Sequence, residues 1–202
     1  MNLKSRNINS FIAVAILLVA ALWCVPLSAL DVNSTKFSTS NGLSDNTVRK
    51  IFQDSRGYIW FATFNGLSRY DGYNIVKYSP LDAGGTPEFQ IRDIIEDSKG
   101  FLWILGNNDI INCLNPISGD YVQFHPDNCK QRKYRHFTEL SDGSIWLWGE
   151  DGILHIVHSN DGLKSTCIDM DSGKLRSNNI LTVCETENGI PLLSTDKGLY
   201  SY

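Results

Sequence analysis

Asp54-Ser55-Arg56-Gly57-Tyr58-Ile59-Trp60-Phe61-Ala62-Thr63-Phe64-Asn65-Gly66-Leu67-Ser68-Arg69-Tyr70-Asp71-Gly72 is the stretch from which the fold can be read. It predicts a tight turn closed by Gly57, a strand carrying Trp60, a second turn at Gly66 and a strand through Tyr70. The pattern then recurs. Asp97-Ser98-Lys99-Gly100-Phe101-Leu102-Trp103 follows, then Asp142-Gly143-Ser144-Ile145-Trp146, so that the three tryptophans stand 43 residues apart. A fourth copy, Glu187-Asn188-Gly189-Ile190-Pro191-Leu192, comes 46 residues later with leucine in place of tryptophan. Six residues beyond these anchors stand Gly66, Asp109, Gly152 and Gly198. A period of 40 to 50 residues marks propeller blades or arrays.

Each repeat divides into short runs with apolar residues at every second position. That period of two excludes sustained helix and predicts strands. In the first repeat these are Val48 to Gln53, Tyr58 to Thr63, Leu67 to Tyr70 and Ile75 to Tyr78, called a to d, with Pro80 closing the unit. Repeat two runs from Ile91 to Phe124 and repeat three from about Tyr134 to Ile168. Repeat four runs from about Ile180 to Tyr202, without a strand d. Four-stranded antiparallel sheets cannot cover both faces alone, and packing them radially does so. The expected fold is therefore all-β, with propeller blades at about 41–80, 86–126, 130–170 and 175–202 and an incomplete last repeat. This arrangement is expected to be part of a larger propeller, with Trp60, Trp103 and Trp146 buried between blades. A strand-like piece at Lys36-Phe37-Ser38 resembles the missing strand d and is expected to complete a last blade from the N-terminal side.

The leading 29 residues are of another kind. Lys4 and Arg6 precede an apolar run from Phe11 to Val25 and a short exit ending at Ala29, the layout of a secretory signal peptide. An uncleaved anchor is the alternative reading, and Trp23 before Cys24 argues against a lipoprotein. Removing Lys4 and Arg6 with this segment takes the net charge from −4 to −6 for residues 30–202. An acidic, exported chain without a basic stripe is not expected to bind nucleic acid. Cys113, Cys129, Cys167 and Cys184 follow no metal or redox spacing. Cys184, at the repeat position of Phe52, Ile95 and Thr138, is expected to be a small buried residue.

No motif for catalysis, metal or cofactor binding is present. His155 and His158, three apart on a strand, point to opposite faces. Asp54, Asp97 and Asp142 have turn roles. Candidate ligand contacts lie instead on the b–c loops, which diverge while the a–b turns stay constant. They are Phe64, Asn65, Asn107, Asn108, Asp109, Glu150, Asp151 and Asp196, with Trp148 either a stacking platform or packing beside Trp146. If strand a leaves from one face of the ring, the d–a and b–c connections share that face. Amides and carboxylates there suit sugar hydroxyls.

The phrase Asn41-Gly42-Leu43-Ser44-x-Asn46, continued by Asp54-x-x-Gly57-x-Ile59-Trp60-x-x-Thr63-x-x-Gly66-Leu67-x-Arg69-Tyr70-Asp71, resembles the two-component regulator propeller repeat. Repeat two keeps Asp97, Gly100 and Trp103 but has Gly106 and Asp109 where threonine and glycine are usual. Repeat three changes the spacing of its acidic residue to Gly143. Repeat four keeps Gly189, Thr195 and Gly198-Leu199-Tyr200. The resemblance implies the periplasmic sensor part of a hybrid two-component histidine kinase. There, propeller blades, a β-sandwich and a membrane helix precede the kinase and a DNA-binding output, and many members respond to oligosaccharides. It thus implies an oligosaccharide ligand, the remaining receptor parts as partners and a possible homodimer, with this chain truncated. His125, His136, His155 and His158 lack the surroundings of a phosphoacceptor, so this piece is not expected to be an enzyme. An exported glycan-active enzyme is one alternative, for which Glu150 with Asp196 is the available carboxylate pair. A ligand-free scaffold or adhesion propeller is the other.

Overall fold

The structure, a computed structural model, describes residues 34–78, 90–107, 110–126, 133–159, 162–171 and 173–202. The signal-peptide segment, Pro80, Asn108, Asp109 and Cys129 lie outside these residues. Residues 37–202 form one compact unit. Among the described residues, fifteen strands make four antiparallel meanders. The first blade is β1 (Val48–Gln53), β2 (Ile59–Thr63), β3 (Gly66–Tyr70) and β4 (Ile75–Tyr78). The second is β5 (Ile91–Glu96), β6 (Leu102–Gly106), β7 (Ile111–Leu114) and β8 (Tyr121–Phe124). The third is β9 (Tyr134–Glu139), β10 (Ile145–Gly149), β11 (Gly152–Ser159) and β12 (Gly162–Ile168). The fourth has three strands, β13 (Ile180–Glu185), β14 (Pro191–Thr195) and β15 (Gly198–Ser201).

The alternation read from the sequence sends one set of side chains forward to the next blade and the other set backward. Trp60, Ala62 and Leu67 of the first blade therefore meet Ile91, Ile94, Leu102, Ile104 and Leu114 of the second. Trp103, Leu105 and Ile111 meet Tyr134, Phe137, Ile145, Leu147, Leu154 and Ile156 of the third. Trp146, Trp148, Ile153 and Ile168 meet Ile180, Val183 and Leu193 of the fourth. All three repeat tryptophans are buried, as their spacing predicts. One set of equivalent residues shows what a neighbouring blade does. Ile94, Phe137 and Val183 are 0–5% exposed, whereas Ile51 of the first blade, with no described blade behind it, is 64% exposed.

A buried indole N–H needs an acceptor, and the a–b turn provides it. The Asp54 carboxylate accepts bonds from the amides of Arg56 and Tyr58 (3.1 and 2.9 Å) and from Trp60 Nε1 (2.9 Å). Asp97 does the same for Lys99, Phe101 and Trp103 at 3.0, 2.9 and 2.8 Å. The third blade has Leu140 at this position, and a relay replaces the aspartate. Trp146 Nε1 donates to Ser144 Oγ (2.8 Å), whose hydroxyl donates to Asp142 (2.6 Å). Burial pulls the Asp142 carboxyl up, but the Ser144 hydroxyl and amide hold it below the usual carboxylate range.

The same turns clamp each blade to its successor. The amide and hydroxyl of Ser55 both donate to Glu96 (2.6 and 2.8 Å), and those of Ser98 to Glu139 (both 2.7 Å). Ser141 repeats the contact with Glu185 through its amide (2.9 Å) and hydroxyl (3.0 Å). Three bidentate, charge-assisted contacts at one recurring place hold the blades in rotational register.

Two sequence expectations fail. Residues 34–38 form no strand; Phe37 packs tilted against Phe61 and edge-to-face against Tyr70 at the back of the first blade, with centroids 5.4 and 4.9 Å away. Cys184 is exposed rather than buried. Its side chain points forward like Phe52 and Ile95, and among the described residues no blade follows β15. Cys113, also a free thiol, is half-buried, and burial together with the Asp97 charge pushes its pKa up to about 12. Cys167 is disulfide-bonded. We predict that a thiol reagent at pH 8 modifies Cys184 in the native chain and reaches Cys113 only after denaturant is added. Equal native rates for the two cysteines would contradict this packing.

Candidate functional site

The b–c turns and the entry to strand a lie together on one face, as the meander topology requires. One backbone bond records this in every blade. The amides of Phe64, Asn107, Glu150 and Asp196 donate to the carbonyls of Thr47, Gln90, Lys133 and Asn179, at 3.0, 2.9, 3.2 and 3.4 Å. Each acceptor residue directly precedes strand a. The a–b turns with their aspartates occupy the opposite face.

The turns of the first, third and fourth blades are short hairpins. In the first and fourth blades the threonine of Thr-x-x-Gly closes the loop. Thr63 Oγ1 donates to Gly66 O (2.7 Å) and Thr195 Oγ1 to Gly198 O (3.0 Å). The third blade has Gly149 there, because a Cβ would stand 2.1 Å from the Lys133 carbonyl of the incoming chain. Gly152 has φ +101°, and a Cβ would approach the Ile168 carbonyl to 2.6 Å, so glycine is needed on two counts.

Strand a carries a bulge in all four blades, at one repeat position. The ladder to strand b skips Arg49, Arg92, Arg135 and Leu181. A bulged residue is left out of the pleat and its side chain is re-aimed. In the first three blades it turns to the first residue of its own b–c turn. The Arg49 guanidinium lies over the Phe64 ring, 5.3 Å from the centroid. Arg92 donates to the side chain and carbonyl of Asn107, each at 3.3 Å, and also to the carbonyl of Tyr134 in the next blade. Arg135 pairs with Glu150. Position-by-position reading of the loops missed this row. Its signal was available as three arginines 43 residues apart.

One residue further along the inner strands stand Lys50, Asp93 and His136. The buried Asp93 carboxylate pairs with Lys50 and accepts the amides of Ile94 (2.9 Å) and Phe137 (3.0 Å). His136 Nδ1 is 3.7 Å from it, and the His136 ring packs 5.7 Å from Trp148. Asp93 thus ties the inner strands of three consecutive blades.

The predicted contact residues fare differently. Phe64 (39% exposed) and the exposed Asn65, Glu150 and Asp196 stand on the shared face, with Asn107 and Asp151 half-buried beside them. Trp148 is 7% exposed inside the third core, so it packs between blades and offers no open platform. Glu150 and Asp196 are each engaged elsewhere, with Arg135 and with Ser177. Asp151 accepts the Lys133 amide at 3.0 Å.

Residues 42–65 match the Two component regulator propeller family. No curated protein matches the chain. Among solved structures, the extracellular domain of the hybrid two component system BT3049 from B. thetaiotaomicron superposes with a TM-score of 0.67 at 20% identity, over 83% of this chain and 26% of that one. Virginiamycin B lyase from Staphylococcus aureus gives 0.60 at 17% identity, over 86% of this chain and 60% of the lyase. The WD40 beta propeller domain of Doa1 gives 0.57 at 16% identity, over 76% and 49%. These likenesses establish β-propeller blades. The chain spans about a quarter of the two component domain's length.

Proposed function

We infer that this chain, which carries a two-component regulator propeller repeat at residues 42–65, is part of the exported sensory region of a hybrid two-component regulator. Its role is to bind a ligand such as an oligosaccharide on the face shared by the b–c turns and the strand-a entries. Signalling then passes to propeller, β-sandwich and kinase parts outside this sequence, with a homodimer as the signalling unit.

The observation that carries the reading is the conserved frame with variable contents. Every blade repeats the same bulge and the same turn-to-strand bond, yet the turn's first residue is Phe64, Asn107, Glu150 or Asp196. A rigid frame that presents different side chains at one face suits recognition. No helix among the described residues is long and apolar enough to cross a membrane. An enzymatic glycan role has less support, because the carboxylates of Glu150 and Asp196 are held by separate partners.

The test is a thermal-shift and calorimetry screen of the purified chain against neutral and acidic oligosaccharides. Substituting Asn65, Asn107 and Asp196 together with alanine is expected to weaken any ligand found by tenfold or more. Binding that survives the triple substitution would place the site elsewhere. A screen without any binding would remove the sensory reading of this face.

A further inference from the structure

The bulged arginines share one geometry but not one state. Arg135 meets a carboxylate on its own turn, and Arg92 meets the oxygens of Asn107 and the Tyr134 carbonyl. In both blades the protein supplies the acceptors that a planar guanidinium fork requires. The first blade supplies none. Its turn offers the Phe64 ring, and Arg49, exposed at the rim, makes no hydrogen bond or ion pair among the described residues. The neighbouring Lys50 is already committed to Asp93.

We propose that Arg49 and Phe64 form a subsite for the carboxylate or sulfate of an acidic sugar. Built on the ligand face inferred above, this assigns that ligand a chemical class. The ligand's anionic group stands where the Glu150 carboxylate stands relative to Arg135, taken up by the guanidinium in a bidentate contact. The half-exposed Phe64 ring offers an apolar surface to the C–H face of the same sugar. It also keeps the guanidinium in place through the cation–π contact. The fourth blade has Leu181 at the bulge, so the anion preference belongs to the first blade.

The experiment compares tetragalacturonate with its fully methyl-esterified form, and a chondroitin sulfate tetrasaccharide with its desulfated, carboxyl-reduced form, by calorimetry on the purified chain. At least one acidic sugar is expected to bind tenfold or more tightly than its neutral counterpart, with the preference shrinking as salt is raised. Arg49→Gln is expected to abolish the preference and Arg49→Lys to restore part of it. Arg49 is exposed, so its substitution leaves folding intact, which an unchanged melting temperature verifies. Neutral sugars binding as well as acidic ones would overturn the subsite while leaving the ligand face standing. An acid preference untouched by Arg49→Gln would overturn it too. No binding by any of the four would overturn the subsite, and the wider screen above then decides whether the ligand face stands.

Discussion

Replacing Trp60 with alanine is expected to lower stability by about 3–5 kcal/mol, the scale for a fully buried core aromatic. The side chain has no exposed surface and packs across the joint between the first two blades, against Ile91, Ile94, Leu102 and Ile104. The loss has two sources. A cavity opens between two sheets whose backbones are held by their own ladders and cannot collapse into it. In addition, Asp54 loses the indole N–H while remaining buried. Leu192 is the internal control. It occupies the same repeat position in the fourth blade but is only partly buried, so Leu192→Ala should cost well under half as much. Denaturant melts of the two variants against the parent chain decide the matter. A Trp60→Ala cost below about 1 kcal/mol, typical of surface sites, would show that the first joint is not a packed core.

The second large effect is expected at the inner strands. Lys50→Met removes the cation facing Asp93, whose carboxylate is buried and cannot turn to water. Breaking a fully buried pair costs about 3–5 kcal/mol because a charge is left uncompensated. Lys50 is itself a third exposed, and two backbone amides remain on Asp93, so about 2–3 kcal/mol is expected here. Removing both charges with Lys50→Met and Asp93→Leu should cost less than the sum of the single substitutions, since no orphan carboxylate remains. Strict additivity in that double-mutant cycle would mean that the pair does not couple the blades.

The repeat was legible in the chain because its causes are local. A glycine that must take positive φ, an aspartate that folds back on a turn and an alternation of apolar residues all act within a few positions of themselves. They determined the four meanders, the burial of Trp60, Trp103 and Trp146, and the pairing of b–c turns with strand-a entries on one face. What failed depended on which blade stands next to which. Cys184 occupies a position that is covered elsewhere in the array, and only an adjacent sheet decides whether such a residue is core or surface. Phe37 has the composition of a strand, yet it lies on Phe61 and Tyr70 without a ladder.

The candidate site divides along the same line. The turn residues Phe64, Asn107, Glu150 and Asp196 were identifiable as loop positions that vary within a constant frame. Their pairing with Arg49, Arg92 and Arg135 arises from a bulge, an extra residue whose place in a strand is set by the register with its neighbour. The three-blade contact of Asp93 joins residues 43 and 44 positions away. Turn chemistry and side-chain period, being local, were settled by the sequence itself. Bulge placement, inter-blade charge pairing and the exposure of each face depend on long-range contacts, and the tertiary structure alone decided them.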